Sequence, residues 1–504
     1  MSSKQHKKLS INAISNLGKY VVNVAVTFFL TPFVIHKLGN DNYGLWVVVL
    51  SLVGYSGLLE MGVQTSVIKL VAQYNGIGDV HRLKQIISAS LAFFIAVGTV
   101  SALALWFATP LFLDRLVSDP AGRETVRLLL IVLGVNVLLV FPNYVFSGVV
   151  FGLQAYHRKN LMDVGCTLVN ATVTYVLLNK GYGLIAVVLA KVITDLLNVL
   201  ITFVLCIRIC PHFRPSFSSL SKDAFKELFA IGGKIFSSST MYRIANSSEP
   251  LIISSFLGTS WTAIASVSKR LIDYIREISL SLTTGFMPMF SELQAKDDLP
   301  KIRETYFQYS RYILIIVLPI IAFVFVYGTP FIRLWVGGDF ADKGKYLITF
   351  LTIQCFVDAL QPLAWRMLVG VNETDFIVRV SVIGSILYIV IILSLIHFTG
   401  INGIGISGVI TAFIAQSLYF RKTCNYLNTN VFTQLKELQI WPITINLLFA
   451  LVLYVISSLF PINSYFDILL HMSCGIPFYI LATYFVLLRR EERLFLCNKL
   501  VSAW

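Results

Sequence analysis

The sequence predicts an all-α integral membrane protein of about 14 transmembrane helices, built as two six-helix bundles plus a C-terminal helix pair, with both termini cytoplasmic. Three observations carry that prediction. The composition is too apolar for a water-soluble core, helix-length apolar runs follow one another from Ile11 to Leu488, and Lys and Arg fall mostly on one side of the alternating segments between them. Of 504 residues, 56% are hydrophobic and 13% are charged. A soluble domain carries about 25% charged residues. A soluble enzyme is therefore excluded, and the bilayer is the solvent.

A spanning helix needs about 20 mainly apolar residues. By that measure helices are expected near 12–35, 43–68, 85–108, 128–151, 161–178, 184–206, 228–257, 263–290, 312–332, 347–369, 377–397, 403–420, 441–460 and 466–488. The first run follows Met1-Ser-Ser-Lys-Gln-His-Lys-Lys with no small-residue cleavage site, so it is expected to stay as a span. Seven cysteines are scattered through the chain, against a disulfide framework. Cys206 and Cys210, near His212, have the wrong spacing and count for a closed metal site, and no metal or cofactor is expected.

Lys and Arg in short loops stay in the cytoplasm. With the N-terminus inside, the inner segments hold 23 bases, among them Lys4, Lys7, Lys8, Arg82, Lys84, Arg158, Lys159, Arg208, Arg311, Arg421, Arg489 and Arg490. The outer segments hold 8: Lys37, Arg115, Arg123, Arg127, Lys180, Arg333, Lys343 and Lys345. That asymmetry accounts for the net charge of +14 as a topology signal and an attraction to anionic membrane lipids, and no nucleic acid partner is implied.

Leu30-Thr-Pro-Phe-Val-Ile-His-Lys-Leu-Gly39 before helix two resembles Glu249-Pro-Leu-Ile-Ile-Ser-Ser-Phe-Leu-Gly258 before helix eight. Both hold a proline, an aliphatic run and a terminal Leu-Gly. Their spacing matches one six-helix bundle, which sets the expected domains at 1–220, 221–425 and a helix pair with tail at 426–504.

Charges inside the spans cost about 2.5–3.5 kcal/mol each at a helix centre, so they must face protein or water. On helix eight Ser266, Lys269, Arg270, Asp273, Arg276, Glu277, Ser281 and Thr284 share an arc of about 140°, opposite Leu271, Ile272, Tyr274, Ile275 and Ile278. A wet face and a lipid face are expected. Helix one carries Asn12, Ser15, Asn16, Lys19, Asn23 and Thr27 on one stripe. On helix seven, Ser239, Arg243 and Ser247 precede Pro250, and Arg243 has no acid three or four residues away. These helices and helix two are expected to line a polar cavity. Its bases Lys19, Lys234, Arg243, Lys269, Arg270 and Arg276 outnumber Glu60, Glu249, Asp273 and Glu277, which favours an anionic cargo, and the arginine fork suits phosphate. Arg243, Lys19, Arg276, Lys269, Arg270 and Asn23 are the candidate cargo-binding residues.

The structural alternatives are plain. Lys191 with Asp195 and Lys269 with Asp273 are i, i+4 pairs that neutralise themselves, Lys69, Lys234 and Arg366 can snorkel, and Asp358 with Gln354 and Gln361 can bond a neighbouring helix. Gly403-Ile-Gly-Ile-Ser-Gly408 matches a dinucleotide-loop pattern but opens a helix with no strand before it, so close helix packing is expected there. No nucleotide-hydrolysis loop is found, so any transport must draw on a gradient or a partner.

Pro32-Phe-Val-Ile-His-Lys-Leu-Gly-Asn-Asp-Asn-Tyr-Gly-Leu-Trp46, Gly57-Leu-Leu-Glu-Met-Gly-Val63 and Phe331-Ile-Arg-Leu-Trp-Val-Gly-Gly-Asp-Phe340 resemble bacterial polysaccharide flippases. These are the Wzx-type members of the multidrug, oligosaccharidyl-lipid and polysaccharide exporter (MOP) superfamily. The resemblance implies a bacterial inner-membrane flippase, not an enzyme. It would move an undecaprenyl-pyrophosphate-linked oligosaccharide outward for O-antigen or capsule assembly, working beside a polysaccharide polymerase and chain-length machinery. Cation-coupled relatives use carboxylates on helices seven, eleven and twelve, whereas helix eleven here offers only Arg379 and Ser or Tyr positions, which leaves Glu60 and Asp358 as the ion-coupling candidates. Two other classes remain as expectations. A multidrug exporter of the same superfamily calls for a more acidic or aromatic chamber. A glycan polymerase or ligase needs a large outer loop, and the outer segments near 109–127 and 333–346 are short.

Overall fold

The computed structural model describes residues 3–60, 62–116, 120–211, 213, 215–216, 219–487 and 492–493. The terminal positions Met1 and Trp504, with Cys497 and His212, lie outside the described residues, as do the side chains of Asn12, Lys234 and Ser239. Among the described residues there is no strand. The chain divides into two compact units, Met1–Ala263 and Ile264–Trp504.

The first unit contains α1 (Ser3–Ser56), α2 (Val63–Ile77), α3 (Val80–Leu116), α4 (Pro120–Gly152), α5 (Tyr156–Asn179), α6 (Gly183–Ile209) and α7 (Lys222–Leu257). The next helix, α8 (Thr259–Thr283), begins there and continues into the second unit. Then follow α9 (Phe286–Ala295), α10 (Leu299–Trp335), α11 (Gly338–Ala359), α12 (Ala364–Gly370), α13 (Thr374–Thr399), α14 (Asn402–Tyr426), α15 (Val431–Gln434), α16 (Trp441–Leu459) and α17 (Tyr465–Ala482). Leu435–Ile440 and Thr483–Leu487 are π-helical turns beside α16 and α17.

Among the described residues, ten helices are long and apolar enough to cross a bilayer, or eleven if α11 and α12, bent by 42° across their break, form one span. The chain is a multi-pass membrane protein. The difference from fourteen has physical causes. α1 joins the first expected span to the first part of the second, with non-helical Gly39 between them. α7 and α8 are absent from the ten; α7 carries Arg243 and Glu249, and α8 carries Lys269, Arg270, Asp273, Arg276 and Glu277.

Three expected helices are broken. The second gives way after Ser56 to a 3-10 turn, Gly57–Glu60, and resumes as α2 only past Gly62, whose φ of 67° suits a residue without Cβ. The eighth stops at Thr283, before α9. The tenth breaks between α11 and α12. The apolar arc of α8 is also not a lipid face: Leu271, Ile272 and Ile275 are buried in protein.

Between helices in lipid, association rests on close packing and hydrogen bonds, because tails are as apolar as the side chains. In the first unit Val67, Leu70, Ile86, Phe94, Phe141, Val145 and Val149 interlock α2, α3 and α4. A Cβ on Gly148 or Gly152 would sit 2.8 Å from Val67 Cγ1 or the Ile68 carbonyl oxygen. In the second unit the glycine motif packs helices as expected, with Gly405 against Phe350 and Gly408 against Gln354. Tyr327 donates to the Leu453 carbonyl at 3.0 Å and Tyr479 to that of Ile315 at 2.9 Å, tying α10 to α16 and α17.

The two repeat-equivalent glycines share one unusual backbone shape, Gly39 at φ 77°, ψ 167° and Gly258 at φ 96°, ψ 169°. The segments after them meet. Asp41 accepts from Thr259 Oγ1 at 3.1 Å and Ser260 Oγ at 2.7 Å, and a Cβ on Gly44 would fall 1.8 Å from the Thr259 carbonyl oxygen.

Candidate functional site

The break before α2 places an acid beside Arg243. Glu60 ends the 3-10 turn, and its Oε2 lies 3.8 Å from Arg243 Nη1, which also donates to the Gly57 carbonyl at 3.4 Å. The Glu60 side chain is 13% exposed and that of Arg243 53%. Small residues let α1 and α7 approach here: a Gly54 Cβ would meet Ser247 Oγ at 3.3 Å, and Tyr55 bonds Ser248 at 2.5 Å. Both contacts of Arg243 use one nitrogen of a five-donor fork, so donors remain for a further acceptor.

A second constellation runs up α1, α4, α5 and α6. Lys19 donates to Asp163 Oδ2 at 2.6 Å, Lys159 bonds Asp163 Oδ1, and Asn198 reaches the same oxygen at 3.0 Å. Asn160 bonds Ser15 and Asn16, and Thr167 donates to Asn23 at 3.0 Å. Higher on α6, Lys191 and Asn136 both donate to Asp195 Oδ2, at 2.9 and 2.6 Å. Two lysines on one carboxylate make Asp163 the electrostatic centre of this ladder. Sequence reasoning missed it by counting Lys159 with the cytoplasmic loop; the structure buries Lys159 within α5, 4% exposed. The i, i+4 spacing of Lys159 and Asp163 was the available signal.

In the second unit Arg276 Nη2 is 3.5 Å from Asp358 Oδ2 on α11, and Arg276 Nη1 is 4.0 Å from Asp273 Oδ1. Gln416 on α14 donates to Asp358 Oδ1 at 3.5 Å, and Gln361 donates to the Gln416 carbonyl at 3.0 Å. Arg270 is exposed on α8 and Lys269 half-buried. A separate recess of about 510 Å³ is lined by Arg303, Glu304, Glu437 and Glu492, where acids outnumber the base, the wrong balance for a phosphate. Among the described residues no group of three or more His, Cys, Asp or Glu is placed to hold a metal ion.

The candidates thus fall into an Arg243–Glu60 pair, a ladder holding Lys19 and Asn23, and an Arg276–Asp358 pair. These are ion pairs within a multi-pass helical frame, and solved structures share that fold. A multidrug MATE transporter of the MOP superfamily in its inward-facing conformation superposes with a TM-score of 0.68 at 14% identity, covering 82% of this chain and 99% of its own. The lipid II flippase MurJ, in an inward closed conformation, gives 0.70 at 12% identity, covering 94% and 98%. Residues 21–343 match the polysaccharide biosynthesis protein family, and the chain belongs to that family. A protein of Shigella flexneri named as a candidate O-antigen transporter is 19% identical over 421 residues, 83% of this chain and 99% of that protein. The uncharacterized membrane protein EpsK of Bacillus subtilis strain 168 is 20% identical over 416 residues, 82% of each chain. The resemblance read from the sequence is borne out in family and fold.

Proposed function

We propose that the chain is a flippase that carries an undecaprenyl-pyrophosphate-linked oligosaccharide repeat unit from the inner to the outer leaflet of the bacterial cytoplasmic membrane, by alternating access across fourteen helices in a six, six and two arrangement. The observation that carries this reading is Arg243: a 53% exposed guanidinium within α7, loosely paired at 3.8 Å, in a chain of the polysaccharide biosynthesis family. Desolvating an arginine is costly, so a transporter that keeps one half-open offers a fork to an anionic group. In the second unit Arg276, Lys269 and Arg270 remain candidates for the same charge. Lys19 already has Asp163 as a partner, so its contribution is to order the ladder around Asn23. Glu60 and Asp358 are the proposed ion-coupling groups, and a polymerase with chain-length machinery is the proposed downstream partner.

Deleting the gene tests the reading. A flippase moves its cargo unchanged, so the completed lipid-linked oligosaccharide should persist, confined to the inner leaflet, and native mass spectrometry of the purified protein should show a polyprenyl-pyrophosphate sugar lipid bound. Absence of the completed lipid would point to a biosynthetic enzyme. Drug sensitivity with normal glycan would point to a multidrug exporter.

A further inference from the structure

We propose that two adjoining recesses at one end of α10, α16 and α17 form a site for the headgroup of a zwitterionic aminophospholipid, with its phosphate beside Lys436 and Arg311 and its ammonium beside Glu437. The site lies wholly in the second unit and does not depend on the cargo proposed above.

The recesses lie where spans end. Their lining comes from 299–311, 427–442 and 486–492, and the expected spans 312–332, 441–460 and 466–488 begin or finish there. One recess, of about 560 Å³, is lined by Arg311, Thr433, Lys436 and Trp441 together with Val486 and Leu487. The other, of about 510 Å³, is lined by Arg303, Glu304, Glu437 and Glu492, and Glu437 borders both. Bases and a hydroxyl beside aromatic and aliphatic side chains suit an amphiphile at the bilayer boundary, where Trp and Lys commonly stand.

Two π-turns meet at this place. Such turns are rare and gather at functional sites. Leu435–Ile440 contributes Lys436 and Glu437, and Thr483–Leu487 contributes Val486 and Leu487. A π-turn bonds residues five apart, which brings Lys436 and Trp441 round to one side; an α-turn would set them about 140° apart.

The charge balance selects the lipid. Three bases, Arg303, Arg311 and Lys436, stand with three acids, Glu304, Glu437 and Glu492. Most are engaged already. Arg311 bonds Glu492, which also accepts from Tyr312 at 2.5 Å; Glu304 takes Lys301 at 2.8 Å, and Arg303 lies over the Phe307 ring. Lys436 and its neighbour Glu437 make no ion pair among the described residues. Arg311 is 9% exposed, and its buried Nε has no acceptor among them. A headgroup with one negative and one positive charge complements both sides, whereas a plain anion complements only one. A primary ammonium also offers carboxylates three N–H donors that a trimethylated one lacks.

The test is native mass spectrometry of the delipidated full-length protein, titrated without cargo with phosphatidylethanolamine, phosphatidylglycerol or phosphatidylcholine of one acyl composition. Phosphatidylethanolamine should be retained best. Glu437→Gln should weaken it about fivefold, the worth of one exposed ion pair, without weakening phosphatidylglycerol. Lys436→Ala should weaken both lipids by about as much, and Lys345→Ala on α11, outside both recesses, should weaken neither. Lys436 and Glu437 are exposed, and unfolding temperatures of the lipid-free variants separate a lost site from a lost fold. Equal retention of the three lipids, or unchanged phosphatidylethanolamine binding in Glu437→Gln and Lys436→Ala, overturns the site. Tighter binding of phosphatidylglycerol than of phosphatidylethanolamine overturns the zwitterion, and phosphatidylcholine bound as tightly as phosphatidylethanolamine overturns the role of the ammonium donors.

Discussion

Glu60 lies 3.8 Å from Arg243, and the two come from elements 183 positions apart in sequence, a 3-10 turn and the middle of a long helix. The pair gives a mutational cycle that separates cargo binding from charge balance. If Arg243 contacts the cargo pyrophosphate, Arg243→Ala costs about 2–3 kcal/mol of cargo interaction, roughly 30- to 150-fold, and surface glycan is nearly lost while the protein accumulates. Arg243→Lys restores part of the activity by keeping the charge without the fork. The Glu60→Gln/Arg243→Gln double variant stays inactive. Recovery of glycan display by that double variant would show that Arg243 serves only to neutralise Glu60.

The Asp163 ladder predicts an order of stability losses. Lys159 is 5% exposed at its side chain and Lys19 32%, although both bond the same carboxylate. Breaking a buried pair by removing one partner costs about 3–5 kcal/mol. Asp163→Asn, which strands Lys159, should lower the thermal unfolding temperature most, Lys159→Met next, and Lys19→Met least. Equal losses for Lys19→Met and Lys159→Met would contradict the burial seen here.

Gly44→Ala should disrupt the protein far more than its single methyl suggests. The new Cβ would lie 1.8 Å from a backbone oxygen at Thr259, which has no side-chain rotamer to relax into. Gly384→Ala on α13 is the matched control: nothing lies within 4 Å of its Cβ, and the change should be neutral or slightly stabilising, by up to about 1 kcal/mol. Detergent-solubilised yield and unfolding temperature report both.

The base distribution predicts that a reporter active only outside the cytoplasm, fused after Trp504, stays silent. Activity there would refute an even number of crossings.

Helix class and most spans were legible because a bilayer imposes length and apolarity on every crossing, and residues such as those of α13 and α16 satisfy it with little else to say. The breaks were not. Gly57 and Gly62 flank the interruption that presents Glu60, but a glycine inside an apolar helix also marks close packing, as Gly405 and Gly408 do, and only tertiary contacts decide between the two. Arg243 was visible as an unpaired base on its own helix, and its partner was hidden because it arrives from another element. Lys159 was misplaced because its neighbour Arg158 reads as a loop residue, and the line between a basic loop and a buried ion pair fell between adjacent positions. Gln361 is legible beside Asp358 as a bond to a neighbouring helix, whereas Gln416, which donates to Asp358 from α14, gives no signal of its own.

The π-helical turn at Leu435–Ile440 bears on how freely the length of the chain can be edited. Such a turn takes in one residue more than an α-turn without twisting the helix on either side out of phase. Removing one residue inside 435–440 would let the turn relax to α geometry with α16 still presenting the same faces. Removing one from the middle of α13 would rotate everything beyond it by about 100°. The trailing pair of helices therefore has a place where a codon can be lost without scrambling the membrane-facing surface.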